Sequence, residues 1–300
     1  MKKINYLFFE VCWLLLSVVS ACEKEIEFNG EERAPRLTVS AVAVAGKPLT
    51  IDVSASVFFL NSGTEGYTAP LDTVQGRVRV FVNGSQTGLE AERLPETVDF
   101  SLRYGCSYEP APGDRIRIEA AFPGLDAVSA ETQVPLVPRF EVAAVSPDDR
   151  ELTIRIQDDA SFEKYYSLRV FRPYEDESGA FEFPVYYTSN DVVFHKTSTG
   201  LADLFDIGIS EDWQFVQLFS DALFRGKSYS FKIRVQAGEP VFVELGAVTD
   251  SFYWYATSFE ALRDLGGFTL FAEGVPLYSN VSGGYGAVCA SAYSIVKVEW

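Results

Sequence analysis

The chain has 300 residues, 47% of them hydrophobic and 14% aromatic, with a formal net charge of −17. That apolar content is ample for a packed core and excludes global disorder, and the length suits two domains of about 100–150 residues. The acidity excludes nucleic acid and anionic lipid headgroups as partners, because both are polyanions that a chain of this charge repels.

The N-terminus reads as a lipoprotein signal peptide over residues 1–21. Lys2 and Lys3 make a positive start, Tyr6 to Val19 is mostly apolar with Glu10 as a misfit, and Val19-Ser20-Ala21 places small residues directly before Cys22. Such a lipobox makes Cys22 the acylated first residue of the mature protein. The uninterrupted apolar part, Val11 to Val19, falls well short of the ~20 residues a spanning helix needs. Removing residues 1–21 takes away Lys2, Lys3 and Glu10, leaving 23 basic against 41 acidic residues and a net charge of −18. The lipid, not a basic patch, then holds the body to the membrane. The acidic run Glu23 to Glu27 is similar to a surface-export tag, or serves as a solvated tether. Residues 22–35 carry the breakers Asn29-Gly30 and Ala34-Pro35, and at ~3.3 Å per residue they reach at most about 45 Å.

From Arg36 the pattern is strand after strand. Leu37 to Val42 and Leu49 to Ser54 alternate, and Val78 to Val82 alternates and stops at the hairpin signal Asn83-Gly84. Pro112-Gly113-Asp114 turns the chain into Ile116 to Ala120, and Val128 to Val134 closes the set. Short strands at this spacing predict an immunoglobulin-like β-sandwich over residues 36–135. Val134-Pro135-Leu136-Val137-Pro138 then reads as a stiff hinge between domains.

The rhythm restarts with Phe140 to Val145, Leu152 to Ile156, Tyr166 to Val170 and Tyr229 to Val235. Residues 136–300 are therefore expected to form a fibronectin-III-like β domain with an insertion near 173–227. The fold class is thus mainly β, two tandem sandwiches. One helix near the C-terminus is expected from Phe252, Tyr255, Phe259 and Leu262, with Asp250 as its cap, Gly266-Gly267 as its end and its apolar face on the sandwich.

Cys106 and Cys289 could pair in an oxidising envelope, but they fall in different predicted domains and outside any metal-type cluster, so two separate buried thiols are expected. His195 is the only histidine and sits in a strand-like stretch, which favours packing over catalysis. Gly283-Gly284-Tyr285-Gly286 lacks the required third glycine at the spacing of a dinucleotide loop and the parallel unit that follows one. The carboxylates Asp148-Asp149, Asp158-Asp159 and Asp203 with Asp206 are the pairs a glycoside hydrolase would use. On this reading they are solvated loops, and the chain is not an enzyme. Tyr186, Tyr187, Trp213 and Trp254 are candidates for a ligand-stacking surface, with core packing as the alternative use.

The order of several segments resembles the outer-membrane lipoprotein family catalogued as domain of unknown function family 4249. These are the lipobox, Val134-Pro135, Ser189-Asn190-Asp191, Phe219 to Gly226, Tyr253-Trp254-Tyr255, Pro276 to Val281 and the glycine-rich Gly283 to Gly286. Ala287-Val288-Cys289 departs from the bulkier pair expected there. The resemblance implies a surface lipoprotein of the outer membrane, encoded beside a TonB-dependent transporter barrel and helping it capture a nutrient. It supplies no catalytic residues and no obligate cofactor. Asn190, Asp191 and Asp221 lie in family-like stretches and are candidate calcium ligands, although Asx turns use the same residues. An adhesin or structural surface protein is the alternative, and a carboxylate-dependent hydrolase a more distant one.

Overall fold

The computed structural model describes residues 34–56, 71–72, 74–85, 88–98, 101–159, 163–176, 179–194, 216–236, 240–265 and 277–300. Cys22, His195, Asp203, Asp206 and Trp213 lie outside them.

Alternation sets the first strands. In β1 (Leu37–Val44) and β2 (Leu49–Ala55), Leu37, Val39, Ala41, Ala43, Leu49, Ile51, Val53 and Ala55 all point inward and are buried. A one-residue slip would send that whole set to solvent, so the β1–β2 register, Val39 opposite Val53, is strongly specified. β5 (Glu92–Val98) and β6 (Ser101–Cys106) extend this sheet outward. Facing it is a four-stranded sheet of β3 (Arg77–Val82), β4 (Leu89–Glu90), β7 (Arg115–Ala121) and β8 (Val128–Gln133), in the order β4-β3-β7-β8. Asn83 and Gly84 both take positive φ, 52° and 73°, and Ser85 N donates to Val82 O, which closes the expected turn. The strand that follows pairs only at Glu90 with Arg79 and Leu89 with Val80, so the hairpin loop is wider than two residues.

A second pair of layers repeats the plan. β9 (Arg139–Ser146), β10 (Glu151–Gln157), β13 (Tyr187–Thr188) and β15 (Ser228–Val235) form a sheet ordered β13-β15-β10-β9. Its inner residues Leu152, Ile154, Ile156, Phe231, Ile233 and Val235 are at most 2% exposed. Each such side chain contributes about 1.5–3 kcal/mol of burial. Opposite lie β11 (Tyr165–Asp176), β12 (Gly179–Pro184), β14 (Val216–Ser220), β16 (Val241–Val248) and β17 (Val288–Val298). The start of the expected insertion is a continuation of β11 that folds back as β12, with Asp176 opposite Gly179.

The two sandwiches share a sheet. Its main path runs β12-β11-β16-β17-β1-β2-β6-β5, with β14 beside β11 as its ninth strand. The join is the parallel pairing of β17 with β1, Ala41 opposite Val288 and Val44 opposite Ser291, while the rest of β17 pairs antiparallel with β16. This corrects the expected division at residue 135. Val281, Val288 and Ala290 pack in the core built from residues 37–134, whereas Val298 packs in the other. Contacts accordingly make Ala34–Trp300 one unit. The proline-rich connector is not a free hinge, since Val134 is 1% exposed and exchanges backbone hydrogen bonds with Gly113 and Asp114.

The C-terminal glycines explain how the join is made. Tyr285 N donates to Leu37 O and Val39 N to Tyr285 O, so residues 284–286 run against the backbone of β1. Gly284 faces Leu37 O and Gly286, at φ +102°, faces Val39 O, both too closely for a Cβ.

The helix, α1, spans Asp250–Leu265. Its cap is Thr249, not Asp250: Thr249 Oγ1 accepts from Phe252 N at 3.3 Å and from Ala290 N at 3.1 Å. Asp250 is instead the first helical residue, where its charge favours the positive helix end. Gly266 and Gly267 lie outside the described residues. Among the described residues no helix is long and apolar enough to cross a membrane.

Both thiols are buried and free. Burial pushes the Cys289 thiol up to about 11, against a smaller opposing effect of the Ser251 hydroxyl. The reactive thiolate is therefore scarce near neutrality. A thiol reagent at pH 8 is expected to leave Cys106 and Cys289 unlabelled in the native chain and to label both in urea. Rapid native labelling of Cys289 would show that the β17–helix packing opens.

Candidate functional site

Thr249 ties the start of α1 to β17, since its backbone N also donates to Ala290 O at 3.0 Å. Ser251, the buried residue of the first turn, donates to Val288 O at 3.3 Å. The helix therefore lies on the outer face of β17, with Ser251 over Cys289. Phe259, expected on the packed face, is 50% exposed. The face that meets the sheet is the one carrying Ser251, and Ser258 also lies toward the chain returning at Tyr278, whose N donates to Ser258 Oγ at 3.0 Å.

Next to this anchor the helix displays aromatic rings. Tyr253 stacks on Tyr165 of β11 with centroids 4.4 Å apart. Trp254 meets both edge-to-face, at 5.2 Å from Tyr253 and 6.1 Å from Tyr165, and remains 48% exposed. Trp254, Thr257, Ser258 and Tyr278 line an open groove of about 480 Å³, within the range of small-molecule sites. The two aliphatic hydroxyls in the wall are spent, Thr257 on Tyr253 O at 2.8 Å and Ser258 on Tyr255 O at 2.9 Å. Burial, then the nearby charges of Glu163 and Asp250, raises the Tyr165 phenol; burial and Asp250 raise that of Tyr278. Both stay protonated donors at neutral pH, beside an acidic rim.

The other aromatic candidates do not meet here. Tyr187 is fully buried and donates its hydroxyl to Leu168 O at 2.7 Å, so it is a core residue. Tyr186 is 43% exposed beside it, with its carbonyl accepting from Gln236 N. Of the candidates, Trp254 is the one at the groove. Sequence patterning missed Tyr165 and Tyr278 because nothing in a single chain signals that β11 and the 277–280 segment converge on the helix.

The candidate calcium ligands hold local structure. Asp191 Oδ1 accepts from Tyr229 Oη at 2.7 Å and Val193 N at 3.0 Å, the Asx-type use of the residue. Asp221, its side chain fully buried, meets the Arg225 guanidinium at 3.3 Å through Oδ1, and Oδ2 has no hydrogen-bond partner. Asn190 is exposed. Calcium takes six to eight oxygens. One orphaned oxygen does not make such a shell, and among the described residues no three His, Cys, Asp or Glu side chains converge.

Among the described candidate carboxylates, Asp149, Asp158 and Asp159 are engaged in local contacts. Asp149 accepts from Ser146 Oγ at 3.0 Å in the β9–β10 turn. Asp158, its side chain fully buried, accepts from Tyr166 Oη at 2.7 Å, Gly226 N at 2.7 Å and Lys164 Nζ at 3.2 Å. Asp159 is 64% exposed and takes the other side of Lys164 at 2.6 Å.

Two sandwiches on one continuous sheet, with an aromatic groove beside the helix, define the class: a mainly β protein with an open surface site. The chain belongs to the family described as Domain of unknown function (DUF4249), whose model matches residues 23–295. No curated protein matches it. Among solved structures, the chicken interferon gamma receptor alpha chain is similar over 72% of this chain and 90% of its own, at 11% identity and a TM-score of 0.18. An overlap that loose adds nothing to what the sheets themselves show.

Proposed function

We propose that this chain is a lipid-anchored protein of the outer membrane, displayed at the cell surface, that works without catalysis as a nutrient-capture partner of a TonB-dependent transporter barrel. The observation that carries the reading is the contrast between its polar and aromatic groups. The candidate acid/base side chains among the described residues hold turns together: Asp158 is spent on Tyr166, Gly226 and Lys164. The open groove, lined by Trp254, Thr257, Ser258 and Tyr278, presents rings beside serine and threonine hydroxyls that are already bound to helix carbonyls. Val19-Ser20-Ala21-Cys22 supports the lipid anchor, and the acidic residues after Cys22 support display at the surface. Family membership supports the transporter partnership through the resemblance described above.

The test is recovery of the tagged protein from its native outer membrane in mild detergent, read by mass spectrometry. A transporter barrel in stoichiometric amount is the expected result. Recovery of the protein alone would overturn the partnership and leave the adhesin or structural role.

A further inference from the structure

We propose that the groove beside α1 is a binding site for a neutral oligosaccharide, with Trp254 as the stacking platform and Trp254 Nε1 and Tyr278 Oη as the donors that orient the sugar. This rests on the capture reading above and names the ligand class for it.

The rings come first. Trp254 is 48% exposed on a protein able to bury large aromatics completely, as Tyr187 and Phe219 show at 2% exposure or less. Its position is braced by Tyr253 and Tyr165, which themselves stack at 4.4 Å. A braced and exposed indole offers a π face with its negative quadrupole outward. The C–H face of a pyranose carries the complementary partial charge and gives up little hydration on stacking there.

The hydrogen-bonding groups narrow the ligand further. Thr257 and Ser258 have given their hydroxyl protons to the helix carbonyls, and the helix backbone is satisfied within itself. An extended peptide laid in the groove would find no strand edge for its own N–H and C=O groups. Among the described residues, Trp254 Nε1 and Tyr278 Oη make no hydrogen bond, and both belong to groove-lining side chains. Two fixed donors suit hydroxyl oxygens, while the remaining sugar hydroxyls stay in water at the open mouth.

Charge decides between neutral and acidic sugars. Asp250 lies close enough to raise the phenol of Tyr278 in the wall, and Glu163 with Asp250 to raise that of Tyr165, which packs against Trp254. No Lys or Arg is among the lining residues. Uronic and sialic acids are repelled by such a rim.

The experiment uses the mature lipoprotein in detergent, applied to an array of neutral and acidic oligosaccharides. Hits are then titrated by calorimetry and tryptophan fluorescence against wild type, Trp254→Ala and Tyr278→Phe. Expected are neutral glycans on the array, a loss of about thirtyfold in affinity for Trp254→Ala and a smaller loss for Tyr278→Phe, whose fold is preserved by the conservative change. Absence of every neutral glycan overturns the proposal, as does binding that both variants leave unchanged. The transporter partnership is read separately by the pull-down. A barrel recovered without any glycan binding sinks this proposal alone, and glycan binding without a barrel sinks the partnership alone.

Discussion

Gly286→Ala is expected to destabilise the chain by more than about 4 kcal/mol or to prevent folding, with urea unfolding midpoints as the readout. Two costs combine there. The backbone sits at φ +102°, where a side chain is strained, and an added Cβ would press on the carbonyl oxygen, carbonyl carbon and amide nitrogen of Val39. That carbonyl belongs to β1, held on one side by β2 and on the other by the returning chain, so neither partner can move without breaking ladder hydrogen bonds. Gly46→Ala is the control. Gly46 has φ +71° but nothing within 4 Å of an added Cβ, so its change costs only the left-handed backbone term, about 1–2 kcal/mol. Equal midpoints for the two variants would mean that the 284–286 segment is not packed against β1 in solution.

Asp158→Ala is expected to cost about 3 kcal/mol, and Asp159→Ala less than about 1 kcal/mol. The buried carboxylate of Asp158 joins three pieces of the second sandwich: the end of β10, Lys164 and Tyr166 at the start of β11, and Gly226 in the turn before β15. Removing it strands the Tyr166 hydroxyl and the Gly226 amide and takes the buried carboxylate from Lys164. Asp159 is 64% exposed and holds that lysine from the solvent side, so water replaces it readily. If both variants unfold at the same denaturant concentration, the network is not a structural staple. Loss of a measured turnover on Asp158→Asn, with stability kept, would restore the hydrolase reading.

What the sequence made legible follows from which faces are covered. β1, β2, β7 and β10 have one covered face, and their period of two announces them. β16 does not alternate: from Val243 to Val248 every residue is buried, because a sandwich core lies under one face and, on the other, Arg169 meets Glu244 while Ser167 and Tyr293 of the flanking strands close over Gly246. The first five residues of β17 are likewise all buried. A strand covered on both faces carries no period, and one of those two, β17, is the strand that fuses the halves. The proline-rich connector suggested a clean division for the same reason, since it marks where the chain leaves one core but not where it comes back. At the helix, composition located the element within a residue, while the cap fell to Thr249 because its hydroxyl also serves Ala290 across the sheet. Of the groove, Trp254 was readable as an aromatic of the right kind, but its neighbours come from strands far away in sequence. Several family-like segments have structural duties instead. Asn280 exchanges both amide groups with the backbone of Val288, at 2.8 and 2.9 Å, and the glycines clear the way along β1.

The placement of β17 also governs when this protein can acquire its structure. β1 is made about 240 residues before the strand that pairs beside it, and both cores borrow side chains from residues 281–298. Neither half can close around a partial chain, because loop closure over that distance must precede the contacts that reward it. During synthesis the emerging polypeptide therefore lacks the strand that joins its halves and completes both cores. For a protein exported as proposed, that delay matches the narrow bore of a secretion channel: the chain passes as a thread and becomes a solid only once its far end has arrived.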